Sequence, residues 1–236
     1  MSRSVIAGVI GSILLFTACE SKRPSAPGAA PEQPAAALPS AAERSSSAAP
    51  AVVSGSAKVG EKAPDFELSD LDGKPVRLSS FLGKTVVLEW FNPECPFVRN
   101  SHTKGSLVGT AEKHQKQGVI WLAINSGAPG KQGTGVEKNR AGKASYGFTN
   151  PILLDETGAV GKAYGAKHTP HLYVIDPKGV LVYRGAIDNS PDGEGESPEG
   201  GKLVNYVDAA LADLAAGRAV AHPETEAYGC SVKYGS

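Results

Sequence analysis

Cysteine is scarce in this sequence: three among 236 residues, too few for a disulfide-stapled miniature scaffold or a four-thiolate zinc site. Neither charge is in surplus, because 24 basic side chains meet 24 acidic ones. That balance removes the electrostatic case for a nucleic-acid surface or a polybasic membrane arm. A single Met beside 17 Pro argues against a helical bundle. No apolar run reaches the roughly 20 residues that a helix needs to cross a bilayer; the longest, Val5 to Phe16, falls well short. Phosphate-loop, His-Glu-x-x-His and Gly-x-Ser-x-Gly patterns are all missing, which sets aside the enzyme classes built on them. An odd count of cysteines leaves one thiol that needs its own explanation.

What is present begins with a leader. Arg3 precedes the apolar run, which has the length of a signal-peptide core and ends at Phe16-Thr17-Ala18-Cys19. This ending resembles a bacterial lipobox, with Phe16 where Leu is usual. The resemblance implies a signal peptide over 1–18 and lipidation of Cys19; ordinary secretion or an uncleaved anchor are the alternatives. Each version exports the chain. From residue 19 to 57 the sequence is dominated by Ala, Pro and Ser. Such a segment buries too little surface to offset its ordering entropy, so it is expected to be a disordered tether.

The remaining chain alternates strand and helix patterns. Asp65 to Leu68, the turn signal Asp72-Gly73 and Pro75 to Leu78 predict a hairpin. Thr85 to Phe91 and Val119 to Ile124 read as buried strands. Between them a helix is expected over Val98 to Gln117, weakened by Gly105 and Gly109. A polar helix near Val136 to Tyr146, an extended Pro151 to Asp155 and a helical turn at Val160 to Tyr164 follow. Leu172 to Asp176 and Val180 to Gly185 flank a Pro-Lys-Gly turn, and Leu203 to Leu214 has helical apolar spacing. The pattern predicts an α/β domain over 58–217, its sheet layered by helices, followed by a tail at 218–236.

Chemistry centres on Cys95, which follows a buried strand and precedes Pro96. Pro suits a first helical turn, and a helix start stabilises a thiolate through its backbone N–H groups and dipole. That makes a reactive thiol the reading to set against an inert buried cysteine.

At these residues the sequence resembles the thioredoxin superfamily, in particular its exported redoxin-type members. The resemblance rests on Pro64-Asp65-Phe66, the strand before the Cys95-Pro96-Phe97-Val98 motif, Pro151 to Asp155, Tyr164-Gly165 and Thr169 to Asp176. It implies a thioredoxin-like fold, a central mixed β-sheet flanked by helices, with an N-terminal β-hairpin extension. It also implies that Pro170 is cis and that its loop packs against Cys95, forming the substrate-thiol groove. Glu89 matches the buried acid that the family uses in proton transfer, since a carboxyl buried beside a thiol is placed to take its proton. A strand residue hydrogen-bonded at the sheet edge is the alternative.

Val98 stands where the family usually has its second cysteine. A lone thiolate in a mixed disulfide needs an external thiol or a cysteine from elsewhere in the chain. With Cys19 assigned to lipid, the candidate is Cys230, in a Gly-Cys-Ser-Val-Lys-Tyr ending that resembles a subgroup of these redoxins. Gly229 permits a sharp turn there. The pair is expected to be redox-active, with Cys95 as nucleophile and Cys230 resolving. A purely structural disulfide, worth about 5 kcal/mol by loop-closure entropy, is the alternative.

Two other functions stay open. A peroxiredoxin-type peroxidase would carry Thr or Ser three residues before the cysteine, whereas Asn92 stands there and Leu88 replaces the motif's Pro. A copper-binding or copper-delivery module would use Cys95 with His168 and His171, and His102 as a weaker fourth ligand. The resemblance calls for no cofactor. It implies protein thiols or disulfides, a small thiol or a peroxide as partners, and the lipobox implies a bacterial cell-envelope location, lipid-anchored and facing the periplasm or exterior.

Overall fold

The computed structural model describes residues 53, 55–198 and 200–236; the leader, Cys19 and the tether as far as residue 52 lie outside the described residues. In chain order the elements are β1 (Glu67–Asp70), β2 (Pro75–Arg77), a 3-10 turn (Leu78–Phe81), β3 (Val86–Trp90), α1 (Pro96–Thr103) and α2 (Thr110–Gln115). Then come β4 (Ile120–Asn125), α3 (Val136–Ser145), β5 (Ile152–Leu154), α4 (Ala159–Tyr164), β6 (His168–Thr169), β7 (His171–Ile175), β8 (Leu181–Gly185), α5 (Tyr206–Ala215) and β9 (Cys230–Ser231).

Seven strands form one sheet in the order β2-β1-β5-β4-β3-β7-β8. β3 pairs parallel to β4, and β4 parallel to β5, while β7 and β8 run antiparallel. The β1–β2 hairpin extends the sheet beyond β5. This is the expected thioredoxin-like arrangement, with the hairpin added at its amino-terminal edge. Every residue of β3 is buried, because helices and loops cover both faces of a central strand.

Strand periodicity sorts those residues between two cores. Val86, Leu88 and Trp90 point to one face with Ile124, Tyr164 and Tyr173. Val87 points to the other with Trp121, Leu172 and the α5 residues Val207, Ala210 and Leu211. Farther along this second face, Phe91 and Ala123 pack with Cys95 and Val98. Glu89 lies between Val87 and Phe91 on the same side, by the period of two along a strand. Each large apolar side chain fully buried in these layers contributes about 1.5–3 kcal/mol.

Three boundaries differ from the sequence expectation. The helix expected over Val98 to Gln117 is two helices, α1 and α2, separated by turns. Gly109 has φ of +66°, outside helical geometry, and a Cβ at Gly105 would meet Gly193 O at 2.2 Å. Gly109 therefore breaks the helix rather than merely weakening it, while Gly105 leaves room for Gly193 to pass. α5 starts at Tyr206 because Asn205 caps it, its side chain accepting from Asp208 N at 2.9 Å. Ala57, assigned to the tether by composition, is buried, and its N–H donates to Ala163 O.

Residues beyond α5 are bound to the domain along most of their length. Arg184 N donates to Pro223 O and Thr225 N to Arg184 O. Tyr228 Oη donates to Asp188 at 2.8 Å, Val232 N to Lys167 O at 3.0 Å, Ala128 N to Lys233 O at 2.8 Å and Tyr234 Oη to Ala166 O at 2.8 Å. Within this course β9 pairs antiparallel with β6, His168 opposite Ser231 and Thr169 opposite Cys230.

Candidate active site

Asn92, Pro93 and Glu94 form the turn that delivers Cys95 from β3 to α1. Cys95 N donates to Asn92 O, and Glu94 N to Asn92 Oδ1 at 2.9 Å. Glu94 is held from outside by Gly133 N and by Lys138, whose ammonium keeps its carboxyl below the usual range. Cys95 is the N-cap of α1 and Pro96 opens the helix, so the thiol sits where unpaired backbone N–H groups gather. It is 1% exposed.

The Thr169–Pro170 bond is cis, as the resemblance implied. Thr169 O accepts from Cys95 Sγ at 3.0 Å, so the cis-proline segment does pack on the cysteine. The tail then brings Cys230 to the same place. Cys230 packs against the cluster that holds Cys95 and Val98, opposite the Thr169 whose carbonyl Cys95 binds, and both cysteines are free thiols. Burial pushes the Cys230 thiol up to about 11, reinforced by its bond to Cys95 and the charge there, while Lys233 and the Phe97 N–H act the other way. Cys230 therefore keeps its proton at neutral pH. Gly229 makes the approach possible: its φ is +116°, and a Cβ there would lie 2.4 Å from Thr169 O.

Glu89 is fully buried but serves different neighbours from those expected. Oε1 pairs with His102 Nε2 at 2.6 Å and Oε2 accepts from Trp121 Nε1 at 3.0 Å. No hydrogen bond joins it to Cys95 among the described residues. Nor is it an edge residue, since β3 is flanked by β4 and β7. His102, considered above only as a metal ligand, is its buried partner and stacks on Tyr146. Only an ionisable pair at strand and helix positions hinted at this contact, since its long-range geometry is set by how α1 crosses the sheet.

The possible copper ligands are not gathered. His168 Nδ1 faces Gly229 O at 3.1 Å, while His171 Nδ1 meets Tyr173 Oη at 3.2 Å. Burial, aided by the nearby positive charges, depresses His171 to about 3. Among the described residues no three His, Cys, Asp or Glu side chains form a metal-binding group. Asn92, in the peroxidase motif's hydroxyl position, is used in the turn, its Nδ2 donating to Gln132 O. The sequence reading missed Thr225, Tyr228 and Tyr234, which tie the tail down; the spacing of two tyrosines around Cys230 was the available signal.

A sheet of this order with a cis-proline segment opposite a helix-capping cysteine has parallels among known proteins. The chain is 38% identical over 122 residues to the thiol-disulfide oxidoreductase ResA of Geobacillus thermodenitrificans, a match covering 51% of this chain and 65% of that protein. It is 31% identical over 149 residues to the chloroplastic peroxiredoxin Q of Triticum aestivum, covering 60% and 65%. The structure of an uncharacterized conserved protein from Geobacillus kaustophilus superposes with a TM-score of 0.65 at 34% identity, covering 79% of this chain and 97% of that one. The Redoxin family profile matches residues 58–200, from before the hairpin to the loop beyond β8, and on that extent the chain belongs to the Redoxin family.

Proposed function

We propose that this redoxin is a thiol–disulfide oxidoreductase whose working pair is Cys95 and Cys230. The observation that carries the reading is that Thr169, next to cis-Pro170, pairs with Cys230 and accepts from Cys95 Sγ at 3.0 Å, so both cysteines meet at one residue. The match to the Geobacillus oxidoreductase supports it.

In the reduced protein, Cys95 attacks as the thiolate, its charge held by the amino end of α1. It forms a bond to one sulfur of a substrate disulfide; the substrate S–S bond breaks, and the second sulfur leaves with the electron pair. Cys230 then gives up its proton and attacks the Cys95 sulfur. That step closes Cys95–Cys230 and releases the remaining substrate thiolate, so the substrate gains two electrons and the pair loses two. The high affinity of Cys230 for its proton keeps it from competing as first nucleophile. Pro170 shapes the face that the substrate sulfur meets. Glu89 acts as a positioning residue, fixing His102 of α1 and Trp121 of β4 behind the site.

The leader completes the reading: a signal peptide over 1–18, a lipid on Cys19, a tether to 57, a thioredoxin-like domain to 217 and the Cys230 tail. It places the domain in a bacterial cell envelope, outside the cytoplasm. Mass spectrometry of the mature amino terminus tests this part, which an unmodified Cys19 contradicts. For the pair, peptide mapping of oxidised protein should link Cys95 to Cys230, and Cys230→Ser should accumulate mixed disulfides at Cys95. A free Cys230 beside a Cys95 oxidised only by peroxide would overturn the reading in favour of a peroxidase.

A further inference from the structure

β6 is two residues long and offers one edge beside the active-site sulfur, and the chain's own tail fills it. Ser231 and Cys230 pair with His168 and Thr169, and Gly229 lies so close to Thr169 O that not even a methyl group fits between them. A polypeptide that brought its own cysteine to Cys95 as an extended strand would use these same backbone groups, because strand addition is how an extended chain gains hydrogen bonds at a sheet edge. Two strands cannot occupy one edge.

The occupant is pinned on both sides of Cys230. Upstream, Thr225 Oγ1 accepts from Ala186 N at 3.0 Å and meets Tyr183 Oη at 2.7 Å. Tyr228 reaches Asp188, and its ring lies against Phe97 of α1. Downstream, Tyr234 Oη donates to Ala166 O, and its ring covers Gly158 and Gly161, where added Cβ atoms would fall 2.6 Å and 2.4 Å from it. Those two glycines thus give α4 a bare surface on which the terminal aromatic is seated. The result is a Cys95 that is 1% exposed.

We propose that residues 223–234 are a built-in specificity element: the docked tail occupies the polypeptide-pairing edge, selecting low-molecular-mass disulfides over extended polypeptides. Thr225, Tyr228 and Tyr234 are the residues that set this selection. A small disulfide needs the tail to part only at Cys230, uncovering Cys95, whereas a polypeptide needs the whole edge. The inference rests on the proposed oxidoreductase chemistry and adds the substrate class to it.

The test is a single-turnover comparison with full-length reduced protein, using oxidised glutathione as the small disulfide and insulin as the polypeptide one. In each case the pair is oxidised while the substrate disulfide is reduced, so no further reagent is required. Tyr234→Ala and the milder Tyr234→Phe loosen the tail at contacts that involve neither sulfur and keep both cysteines. The expected result is a rise of about tenfold or more in the insulin-to-glutathione rate ratio for Tyr234→Ala, the scale of losing one anchoring hydrogen bond with its ring contact. Tyr234→Phe should give a smaller rise. An unchanged ratio, or equal acceleration of both reactions, would overturn the selection. Failure of oxidised glutathione to convert Cys95 and Cys230 of the wild-type protein into one disulfide would instead sink the oxidoreductase reading beneath it. Thr225→Val, whose hydroxyl anchors the opposite side of the tail, should raise the ratio as well; if Tyr234→Ala unfolds, it decides the matter alone.

Discussion

Replacing Gly229 with Ala perturbs the approach of the two sulfurs without touching either. The added Cβ would stand 2.4 Å from Thr169 O, 3.0 Å from Thr169 C and 3.4 Å from Pro170 Cδ. The first two are backbone atoms of the cis-proline segment, which Cys95 also holds through Thr169 O, so they cannot simply give way. An alanine also resists φ of +116°, at a cost of about 1–3 kcal/mol. Overpacking against fixed backbone adds about 1–3 kcal/mol. The sum, about 2–6 kcal/mol, opposes a tail whose hydrogen bonds contribute about 1 kcal/mol each. At the lower bound the docked population falls about 30-fold relative to the open one; at the upper bound β9 leaves β6 altogether. Intramolecular disulfide formation after addition of oxidised glutathione should slow accordingly, with glutathionylated Cys95 accumulating, both followed by quenched-flow alkylation and mass spectrometry. Closure at the wild-type rate by Gly229→Ala would refute the reasoning, because Cys230 would then reach Cys95 without the observed strand pairing.

Further outcomes follow from the same contacts. Glu89→Ala should destabilise the domain by about 3–5 kcal/mol in urea unfolding, since it strands the buried His102 and Trp121 Nε1–H; a loss below 1 kcal/mol would show that these contacts carry little weight. Alkaline pH should loosen the reduced protein. The Cys230 thiol binds its proton more tightly when folded, so its stabilising contribution is complete below its ordinary value of about 9 and is lost as pH rises from there to about 11. Because tyrosines raised by burial act in the same direction, the measurement is the difference in stability between wild type and Cys230→Ser across that window, and a flat difference contradicts the assignment. In acid, the His114 bond that depresses Asp208 should be lost as pH falls from the ordinary Asp range through the folded value; His114→Ala should flatten that part of the stability profile.

Much of this fold was legible because its signals are local. The β-branched run before Cys95, the Asp-Gly turn of the hairpin and the Pro-Lys-Gly turn between β7 and β8 each specify their own backbone. The failures lie where partners distant in sequence decide. Gly105 has to lack a side chain because Gly193 passes close to it, and no window of sequence contains both. The cysteine pairing was within reach because only two thiols remained for the domain. Its mechanism of approach was not: strand pairing with β6 and the seating of Tyr234 on α4 depend on where the tail travels after α5. Glu89 was recognisable as a buried acid, but the side chain it meets is determined by the crossing of α1 over the sheet. That crossing sets His102 against Glu89, whose other oxygen accepts from Trp121.

The central claim is that Cys95 and Cys230 exchange electrons as one pair. Equilibrating the protein in glutathione buffers of graded potential, trapping with acid and alkylator, and mapping the peptides tests it most directly. The account predicts a single two-electron transition that interconverts the dithiol and a Cys95–Cys230 disulfide, with a midpoint above about −300 mV, where exchange pairs work. A midpoint far below that value would make the bond a structural staple, and a Cys230 that never joins Cys95 would contradict the account outright.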